Sequence, residues 1–334
     1  MIITRAPLRI SFVGGGTDLS VFYTKERGHV LSAAIDKYVY VTIKHGPEIR
    51  GINVRYSESE TVRHVRELKN DRVREALLAS GIDDHIEISI FSDFPGKTGL
   101  GSSSSFSVAL MKGLRLLRGD TVSARTVAED ACTLEIEVLK EPIGKQDHYA
   151  AAMGGFNMLT FNPDHSVEVD PLLLDFHKSV GLEKHALLFF TGITRDARDI
   201  LSEQQNNTAS RFSTLSQMAA MVEPFRIELL VGNFKRLGEM LHEGWELKRT
   251  LASGISSSVI DELYAAGRQA GAWGGKVLGA GGGGCILFLA EPAAHETIRS
   301  VMKNTAEKHN LEWFSEVPFQ FVQSGVEVLM HKQK

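Results

Sequence analysis

At residues 94–106 the chain reads Phe-Pro-Gly-Lys-Thr-Gly-Leu-Gly-Ser-Ser-Ser-Ser-Phe. The alternating segment 86–91 before it predicts a strand, and the apolar segment 106–118 predicts a helix. The glycines let the backbone approach a ligand closely, and the serines supply hydroxyl groups and helix-capping candidates. Because the amide groups at a helix N-terminus attract anions, this stretch predicts a nucleotide phosphate site rather than a flexible linker.

The composition excludes several classes of protein. With 334 residues and a net charge of -4, the chain predicts one large or two moderate domains without affinity for nucleic acid or anionic membrane. It contains no apolar run long enough to span a membrane, and its start lacks the layout of a signal peptide. Cys132 and Cys285 lie far apart without metal-ligand spacing, which predicts two reduced core residues. We expect a cytoplasmic protein of undetermined oligomeric state.

The N-terminal segment combines a strand pattern with a glycine turn. Residues 2–13 alternate and end at the triplet 14–16, which predicts a strand or a hairpin. Thr17 or Asp18 could then cap a short helix, whereas a carboxylate after a glycine triplet could also hold sugar hydroxyls. A strand is predicted at 38–43, and a charged helix at 61–80.

Glu135 occupies an unexpected place on the helix predicted at 123–140. It falls near the middle of an apolar face that includes Val127, Ala131 and Val138. A buried carboxylate needs a cation or hydrogen-bond donors, because otherwise it takes up a proton. The sequence leaves two partners open: a magnesium ion beside the phosphate loop, or a nearby arginine or lysine.

A polar cluster interrupts the chain after this helix. Residues 141–147 break the helix and are followed by an alanine-rich run, so that Lys145, Gln146, Asp147 and His148 lie between apolar segments. Phosphoryl transfer requires a carboxylate that orients or deprotonates the attacking hydroxyl, and Asp147 could serve in this way. From its position alone, it could equally cap the following helix.

The second half predicts an α+β arrangement with helices up to about residue 271 and strands near 185–191, 312–317 and 326–330. Residues 279–284 satisfy the G-x-G-x-x-G pattern, but an apolar strand follows where a dinucleotide-binding fold requires a helix. We therefore exclude a nicotinamide fold, and we expect a glycine hairpin that packs its backbone against the ligand site.

Three separated segments together resemble the motifs of the GHMP kinases, namely 5–18, 95–105 and 276–285. They occur in the family's order and extend over nearly the whole chain. The resemblance implies a two-domain α+β fold. Residues 1–170 would form a domain like ribosomal protein S5 domain 2, and residues 171–334 a ferredoxin-like domain, with ATP in the cleft between them.

The resemblance also implies roles for individual residues. Asp147 matches the family's catalytic aspartate and Arg9 the arginine that pairs with it. Glu135 and Ser103, or a neighbouring serine of residues 102–105, match its magnesium ligands. The residues implied for ATP are Lys97, Gly99, Leu100, Gly101, Ser102, Ser103, Ser104 and Ser105. Those implied for the substrate are Gly15, Gly16, Thr17, Asp18, Lys145, Gln146, Arg195, Gly281 and Gly282.

Within the family, the first motif departs from galactokinase, since Gly-Gly-Gly-Thr-Asp at 14–18 replaces Gly-Glu-His-Thr-Asp. This segment, with 144–147 and 191–195, looks most like the D-glycero-D-manno-heptose 7-phosphate kinases of bacterial GDP-heptose synthesis. Those enzymes use ATP and Mg²⁺ to phosphorylate an anomeric hydroxyl, in pathways to surface polysaccharide. Lys145, Arg195 and Arg198 are candidates to bind the substrate's own phosphate. The alternatives are a kinase for an unphosphorylated, fucose- or galactose-like sugar, and a catalytically silent sugar-binding sensor.

Overall fold

The computed structural model describes residues 1–195 and 197–332 of the chain. Its strands form two sheets in which most neighbouring strands are antiparallel, and residues from both sheets line one cleft. The strands are β1 (Ile2–Val13), β2 (Gly28–His45), β3 (Ile52–Arg55), β4 (Ser59–Val62), β5 (Ile86–Ser92), β6 (Phe156–Phe161), β7 (Val167–Pro171), β8 (Ala186–Phe190), β9 (Ala272–Val277), β10 (Cys285–Ala290), β11 (Ser315–Glu316) and β12 (Glu327–His331).

Helices cover these sheets and supply much of the cleft wall. They are α1 (Ser20–Tyr23), α2 (Asp71–Ser80), α3 (Ser102–Leu117), α4 (Ala124–Cys132), α5 (Gln146–Met153), α6 (Phe176–His185), α7 (Ala197–Asn207), α8 (Phe212–Ala220), α9 (Val222–Val231), α10 (Phe234–Lys248), α11 (Ser258–Gln269) and α12 (His295–Lys308). Among the described residues, no helix is both long and apolar enough to cross a lipid bilayer.

The first sheet has the order β12-β1-β2-β5-β3-β4, and β6 and β7 extend it from β2. Helix α3 packs closely on β1 and β2. Thr4 donates its hydroxyl to the Ala109 carbonyl at 2.7 Å, and a Cβ added at Gly113 would lie 2.7 Å from Ile43. The small residue and the buried hydrogen bond therefore allow a close approach of the helix, which fixes its N-terminus at the cleft.

The second sheet has the order β11-β8-β10-β9, and every pair in it is antiparallel. Helices α7 to α11 connect β8 to β9, and α12 connects β10 to β11. This β-α-β-β-α-β connectivity is that of a ferredoxin-like unit. The α+β fold and the glycine hairpin between β9 and β10 are thus confirmed.

The end of the chain departs from the predicted domain limits. Strand β12 pairs with β1, with Ile2 opposite His331, so a strand from the predicted 171–334 domain lies in the first sheet. The segment before it packs tightly on α5, because a Cβ added at Gly325 would lie 2.0 Å from the Ala152 carbonyl oxygen. The chain therefore crosses between the two units twice, and hydrophobic patterning does not reveal the second crossing.

Several element bounds also differ from prediction. Helix α1 begins at Ser20 after Leu19, so neither Thr17 nor Asp18 caps it. The predicted helix at 61–80 is shortened to α2 (Asp71–Ser80), because β4 occupies its start and the buried Glu60 carboxylate accepts the backbone N–H groups of Lys69 and Asn70. These tertiary hydrogen bonds override the local charge pattern.

Replacing Gly325 by alanine should destabilise the protein, because the added methyl group meets backbone atoms of α5 that cannot rotate away. We expect the unfolding free energy to fall by about 1–3 kcal/mol in chemical denaturation. Gly96→Ala is the matched control, since a Cβ there meets no atom within 4 Å. Equal denaturation midpoints for Gly325→Ala and Gly96→Ala would contradict the close approach of residue 325 to α5.

Candidate active site

The cleft has a volume of about 280 Å³, at the lower end of the range for small-molecule sites. The start of α3, the first glycine turn, the start of α5, one face of α7 and the β9–β10 hairpin line it. Basic side chains outnumber acidic ones where the described chain lines the cleft, which favours an anionic ligand. The basic residues are Arg9, Arg72, Lys97, Arg195, Arg198, Lys248 and Lys276, and the acidic ones are Asp18, Glu141 and Asp147.

Arg9 connects three of these elements. Its guanidinium lies on β1, is almost wholly buried, and donates from Nε and Nη2 to the two carboxylate oxygens of Asp147, each at 2.7 Å. Its Nη1 donates to the Gly99 carbonyl at 2.6 Å. The bidentate contact fixes the orientation of the carboxylate, and the third bond fixes the glycine loop beside it. Asp147 keeps about a quarter of its side chain exposed to the cleft.

The loop at 94–101 is held against the β9–β10 hairpin by backbone contacts. Cys285 N–H donates to the Thr98 carbonyl at 2.9 Å, and a Cβ added at Gly99 would lie 2.5 Å from the Leu278 carbonyl oxygen. Gly99 and Gly101 both have left-handed backbone angles, with φ of 79° and 80°. The two glycine-rich segments therefore pack backbone to backbone, as the sequence predicted for the hairpin.

Helix α3 begins at Ser102, earlier than the predicted start at 106, with left-handed Gly101 before it. Ser102, Ser103 and Ser104 line the cleft together with Lys97, Gly99 and Gly101. Two predicted ATP residues point elsewhere: Leu100 is buried in the core, and Ser105 donates its hydroxyl to the Pro7 carbonyl at 2.8 Å. The first amides of a sixteen-residue helix thus face a cleft lined by cations, which suits a phosphate chain.

Glu135 lies behind this helix start and is fully buried. It accepts hydrogen bonds from Arg72 Nε at 2.6 Å and from His148 Nε2 at 2.7 Å, and the Ser103, Ser104 and Ser107 hydroxyls also donate to it. Burial opposes ionisation, but the bond and charge of His148 and the charge of Arg72 hold the Glu135 pKa well below its usual range. The arginine partner that the sequence left open is therefore present.

The same oxygens fit a magnesium ion in part. Ser103 Oγ and Glu135 Oε1 lie 3.2 Å apart, close to the separation of roughly 3 Å between adjacent ligands in an octahedral Mg²⁺ site. Arg72 Nε contacts the same Oε1 atom. Among the described residues no group of three or more His, Cys, Asp and Glu side chains could hold a metal ion, so phosphate oxygens would have to complete the shell. Magnesium ligation by Ser103 and Glu135 stays a prediction.

Asp18 and Gln146 form a second polar group on the opposite side of Asp147. Asp18 accepts from the Gly16 N–H, the Gln146 N–H and the Gln146 side-chain amide at 3.0, 3.2 and 3.0 Å. The Ser11 hydroxyl donates to the side-chain oxygen Oε1 of Gln146 at 2.9 Å. Burial, and then the charge of Asp147, raise the pKa of the Asp18 carboxyl. Gly15, Gly16, Asp18 and Gln146 all line the cleft, as predicted for substrate residues.

Other predicted substrate residues have different surroundings. Gly281 and Arg195 line the cleft, whereas Gly282 packs near Ile200 behind Arg195. Thr17 is buried and bonds the Gly14 and His29 carbonyls. Lys145 points away from the cleft, with its Nζ donating to the His165 carbonyl at 2.8 Å.

Sequence reasoning assigned no role to several residues that line the cleft, among them Arg72, Glu141, Gln204 and Lys248. Arg72, Gln204 and Lys248 come from segments without a recognised motif, whereas Glu141 begins the polar segment 141–147. Glu141 joins two of the cleft's arginines, accepting from Arg72 at 3.2 Å and from Arg198 at 2.8 Å. Arg198 lies on α7 and Arg72 on α2, so this carboxylate links the two units across the cleft.

Two lysines are buried beneath the cleft floor. Lys276 donates to the Ser11 and Phe12 carbonyls, each at 2.8 Å, and burial lowers its pKa well below the usual value. Lys248 donates to the Gly279 carbonyl of the hairpin. Burial, and then the charge of Arg9, lower the Lys248 pKa to about 8, while Asp147 and Asp18 oppose the shift.

A carboxylate oriented by an arginine, beside a cationic cleft at a helix start, suits phosphoryl transfer to a small molecule. Two family models match the chain, that of the GHMP kinases N terminal domain at residues 61–155 and that of the GHMP kinases C terminal at residues 225–308. The chain belongs to the GHMP kinases.

Individual relatives align along almost the whole chain. A D-glycero-alpha-D-manno-heptose 7-phosphate kinase from Campylobacter jejuni is 28% identical over 304 residues, covering 87% of this chain and 90% of that protein. A mevalonate kinase from Thermococcus sibiricus is 27% identical, with 90% and 92% covered. The solved structure of a D-glycero-D-manno-heptose 1-phosphate kinase from Bacteroides thetaiotaomicron superposes with a TM-score of 0.81 at 24% identity, covering both chains fully. The last similarity establishes the fold.

Lys248 should make the free energy of unfolding increase as the pH rises. Its folded-state pKa of about 8 lies below the ordinary 10.5, so between these values the unfolded chain binds more protons and the unfolding free energy increases. From about pH 7 to about pH 10.5 we expect wild type to gain roughly 3 kcal/mol relative to Lys248→Met. Lys235→Met, at an exposed position on α10, should run parallel to wild type. Parallel denaturation curves for Lys248→Met as well would refute the assignment.

Glu135→Gln should destabilise the protein even in magnesium-free buffer. The change leaves Arg72 and His148 facing a neutral amide in a buried place, and we expect a loss of about 3 kcal/mol or more in unfolding free energy. Glu129→Gln, at an exposed position on α4, should change stability by less than about 0.5 kcal/mol. A loss that appears only when magnesium is present would show that the carboxylate has no structural partners of its own.

Proposed function

We propose that this protein transfers the γ-phosphoryl group of ATP to the anomeric hydroxyl of a sugar phosphate, most closely D-glycero-D-manno-heptose 7-phosphate. The observation that carries the proposal is the bidentate Arg9–Asp147 pair, which lies between the serine-lined helix start and the Asp18–Gln146 group. One side of the carboxylate suits a nucleotide, and the other side suits a polyol. The product would be the 1,7-bisphosphate.

In this reaction Asp147 accepts the proton of the anomeric hydroxyl as its oxygen attacks the γ-phosphorus. The bond from the γ-phosphorus to the bridging oxygen breaks, and ADP leaves. Arg9 holds the carboxylate in its orientation through two hydrogen bonds, while the Gly99 carbonyl holds Arg9 in turn. Amides at the start of α3 and Lys97 offset the charge of the phosphate chain. A magnesium ion held by Ser103 and Glu135 would neutralise further phosphate charge.

Cations along the α7 wall of the cleft favour a phosphorylated sugar over a free one. Arg195 and Arg198 line the cleft there, whereas Arg72 on α2 binds Glu135 behind the start of α3. Lys145, the remaining candidate from the sequence, bonds the His165 carbonyl outside the cleft. We therefore assign the substrate's own phosphate to Arg195 and Arg198 of the α7 segment, where Glu141 accepts a hydrogen bond from Arg198 at 2.8 Å.

A kinase for an unphosphorylated sugar is the second candidate, since Asp18 and Gln146 suit hydroxyl groups on any sugar. A coupled ADP-release assay with ATP separates the two. The acceptors are D-glycero-D-manno-heptose 7-phosphate, sedoheptulose 7-phosphate, the free heptose, L-fucose, D-galactose and mevalonate. We expect the highest kcat/KM with the heptose 7-phosphate. A higher value with a free sugar would favour the second candidate, and no turnover with any acceptor would favour a sugar-binding sensor.

Asp147→Asn should remove catalysis without removing nucleotide binding. The amide keeps the shape of the carboxylate but cannot take up the proton, and we expect kcat to fall by about 10²- to 10⁴-fold. The dissociation constant for ATP and the circular dichroism spectrum should stay close to wild type. Asp170→Asn, at an exposed position on β7, is the control. Near-normal turnover of a folded Asp147→Asn variant would disprove the assigned chemistry.

A further inference from the structure

One polar group in the cleft has no partner inside the protein. Within residues 1–195 and 197–332, six buried side-chain nitrogen or oxygen atoms lack a hydrogen-bond partner. Of these atoms, only Nε2 of Gln204 belongs to a residue that lines the cleft. Gln204 is only 4% exposed, so solvent at the protein surface does not satisfy its amide either.

The position of Gln204 is fixed by the helix that carries it. Ala197, Arg198, Leu201 and Gln204 line the cleft, and their spacing places them on one face of α7. The Gln204 backbone carbonyl accepts the Thr208 hydroxyl at 3.0 Å. Its side-chain Nε2 atom lies next to Gly16 of the first glycine turn. The amide therefore lies at the edge of the cleft, beside that turn.

The first glycine turn makes room for this amide. A Cβ added at Gly16 would lie 2.4 Å from Gln204 Nε2, so any larger residue at position 16 would displace it. The Gly16 N–H donates to Asp18 Oδ1 at 3.0 Å. An unpartnered donor and a buried carboxylate thus flank the same turn, on the acceptor side of the cleft.

This pairing indicates the kind of group that would bind. Asp18 accepts three hydrogen bonds from described residues, whereas a carboxylate has about four acceptor sites, so one place is left for a ligand. A sugar hydroxyl can accept from Gln204 and donate to Asp18 at once. A phosphate oxygen could accept from the amide, but it would be repelled by the Asp18 carboxylate.

An unsatisfied buried amide destabilises the ligand-free protein, because it loses water without gaining a partner. Methionine has nearly the same shape and would avoid this loss at position 204. A glutamine at position 204 is therefore explained if a ligand supplies the acceptor that its Nε2 lacks.

We propose that Gln204 is a specificity-determining residue that donates a hydrogen bond to a hydroxyl group of the sugar acceptor, next to Asp18. This inference rests on the proposed kinase function and adds a substrate contact that the three family-like motifs do not include.

The test compares Gln204→Met with Gln205→Met, a neighbouring position on α7 that does not line the cleft. The melting temperature of ligand-free Gln204→Met should equal or exceed that of wild type. Its KM for the acceptor with the highest wild-type kcat/KM in the panel should rise by about 2- to 10-fold, with an unchanged KM for ATP. Gln205→Met should change neither constant.

Gln204→Lys distinguishes a hydroxyl from a phosphate as the bound group. The lysine ammonium would pair with Asp18 and take the place of a sugar hydroxyl, so the acceptor KM of Gln204→Lys should rise. A phosphate would instead bind the added cation, and a lower KM would overturn the hydroxyl assignment. An unchanged acceptor KM for Gln204→Met, or a melting temperature below that of Gln205→Met, would overturn the proposal as a whole. If wild type itself phosphorylates no acceptor, the proposed function fails, and this inference fails with it.

Discussion

The bidentate contact between Arg9 and Asp147 is the interaction on which the arrangement of the site depends. Arg9 lies on the long first strand, Asp147 in the first turn of α5, and the Gly99 carbonyl in the loop before α3. One guanidinium therefore sets the position of the carboxylate relative to the nucleotide loop. The five N–H groups of the Arg9 guanidinium lie in one plane with fixed directions. A lysine at this position could not make the three hydrogen bonds together.

A chain of alternating charges extends from this centre to the other unit. Glu135 lies behind the serines of α3 and binds Arg72, Arg72 binds Glu141, and Glu141 binds Arg198 on α7. The buried carboxylate is thus neutralised without a metal ion, and the arginines remain at the cleft. The same cations that stabilise the fold locally also line the cleft, so we expect the packing of the two units to affect substrate binding.

The sequence predicted the parts of the site that depend on local pattern. The strand–glycine–helix order at 86–118 was predicted correctly, although the helix begins four residues before the predicted start, and the burial of Glu135 followed from its position on an apolar face. The Arg72 partner of that carboxylate, and the place of Gln204 beside Gly16, depend on contacts between residues more than 60 positions apart, which periodicity cannot reveal. Lys145 shows the opposite case, since a cation near the motif in sequence turned out to bond His165 outside the cleft.

In the proposed transfer step Arg9 and Asp147 act as one unit. A double-mutant cycle with Arg9→Gln and Asp147→Asn tests this coupling, with kcat/KM measured for the best acceptor and the fold checked by circular dichroism. We expect the double variant to be about as slow as the slower single variant, because each change already disables the same unit. Additive losses, with the double variant slower by the product of the two effects, would contradict the claim.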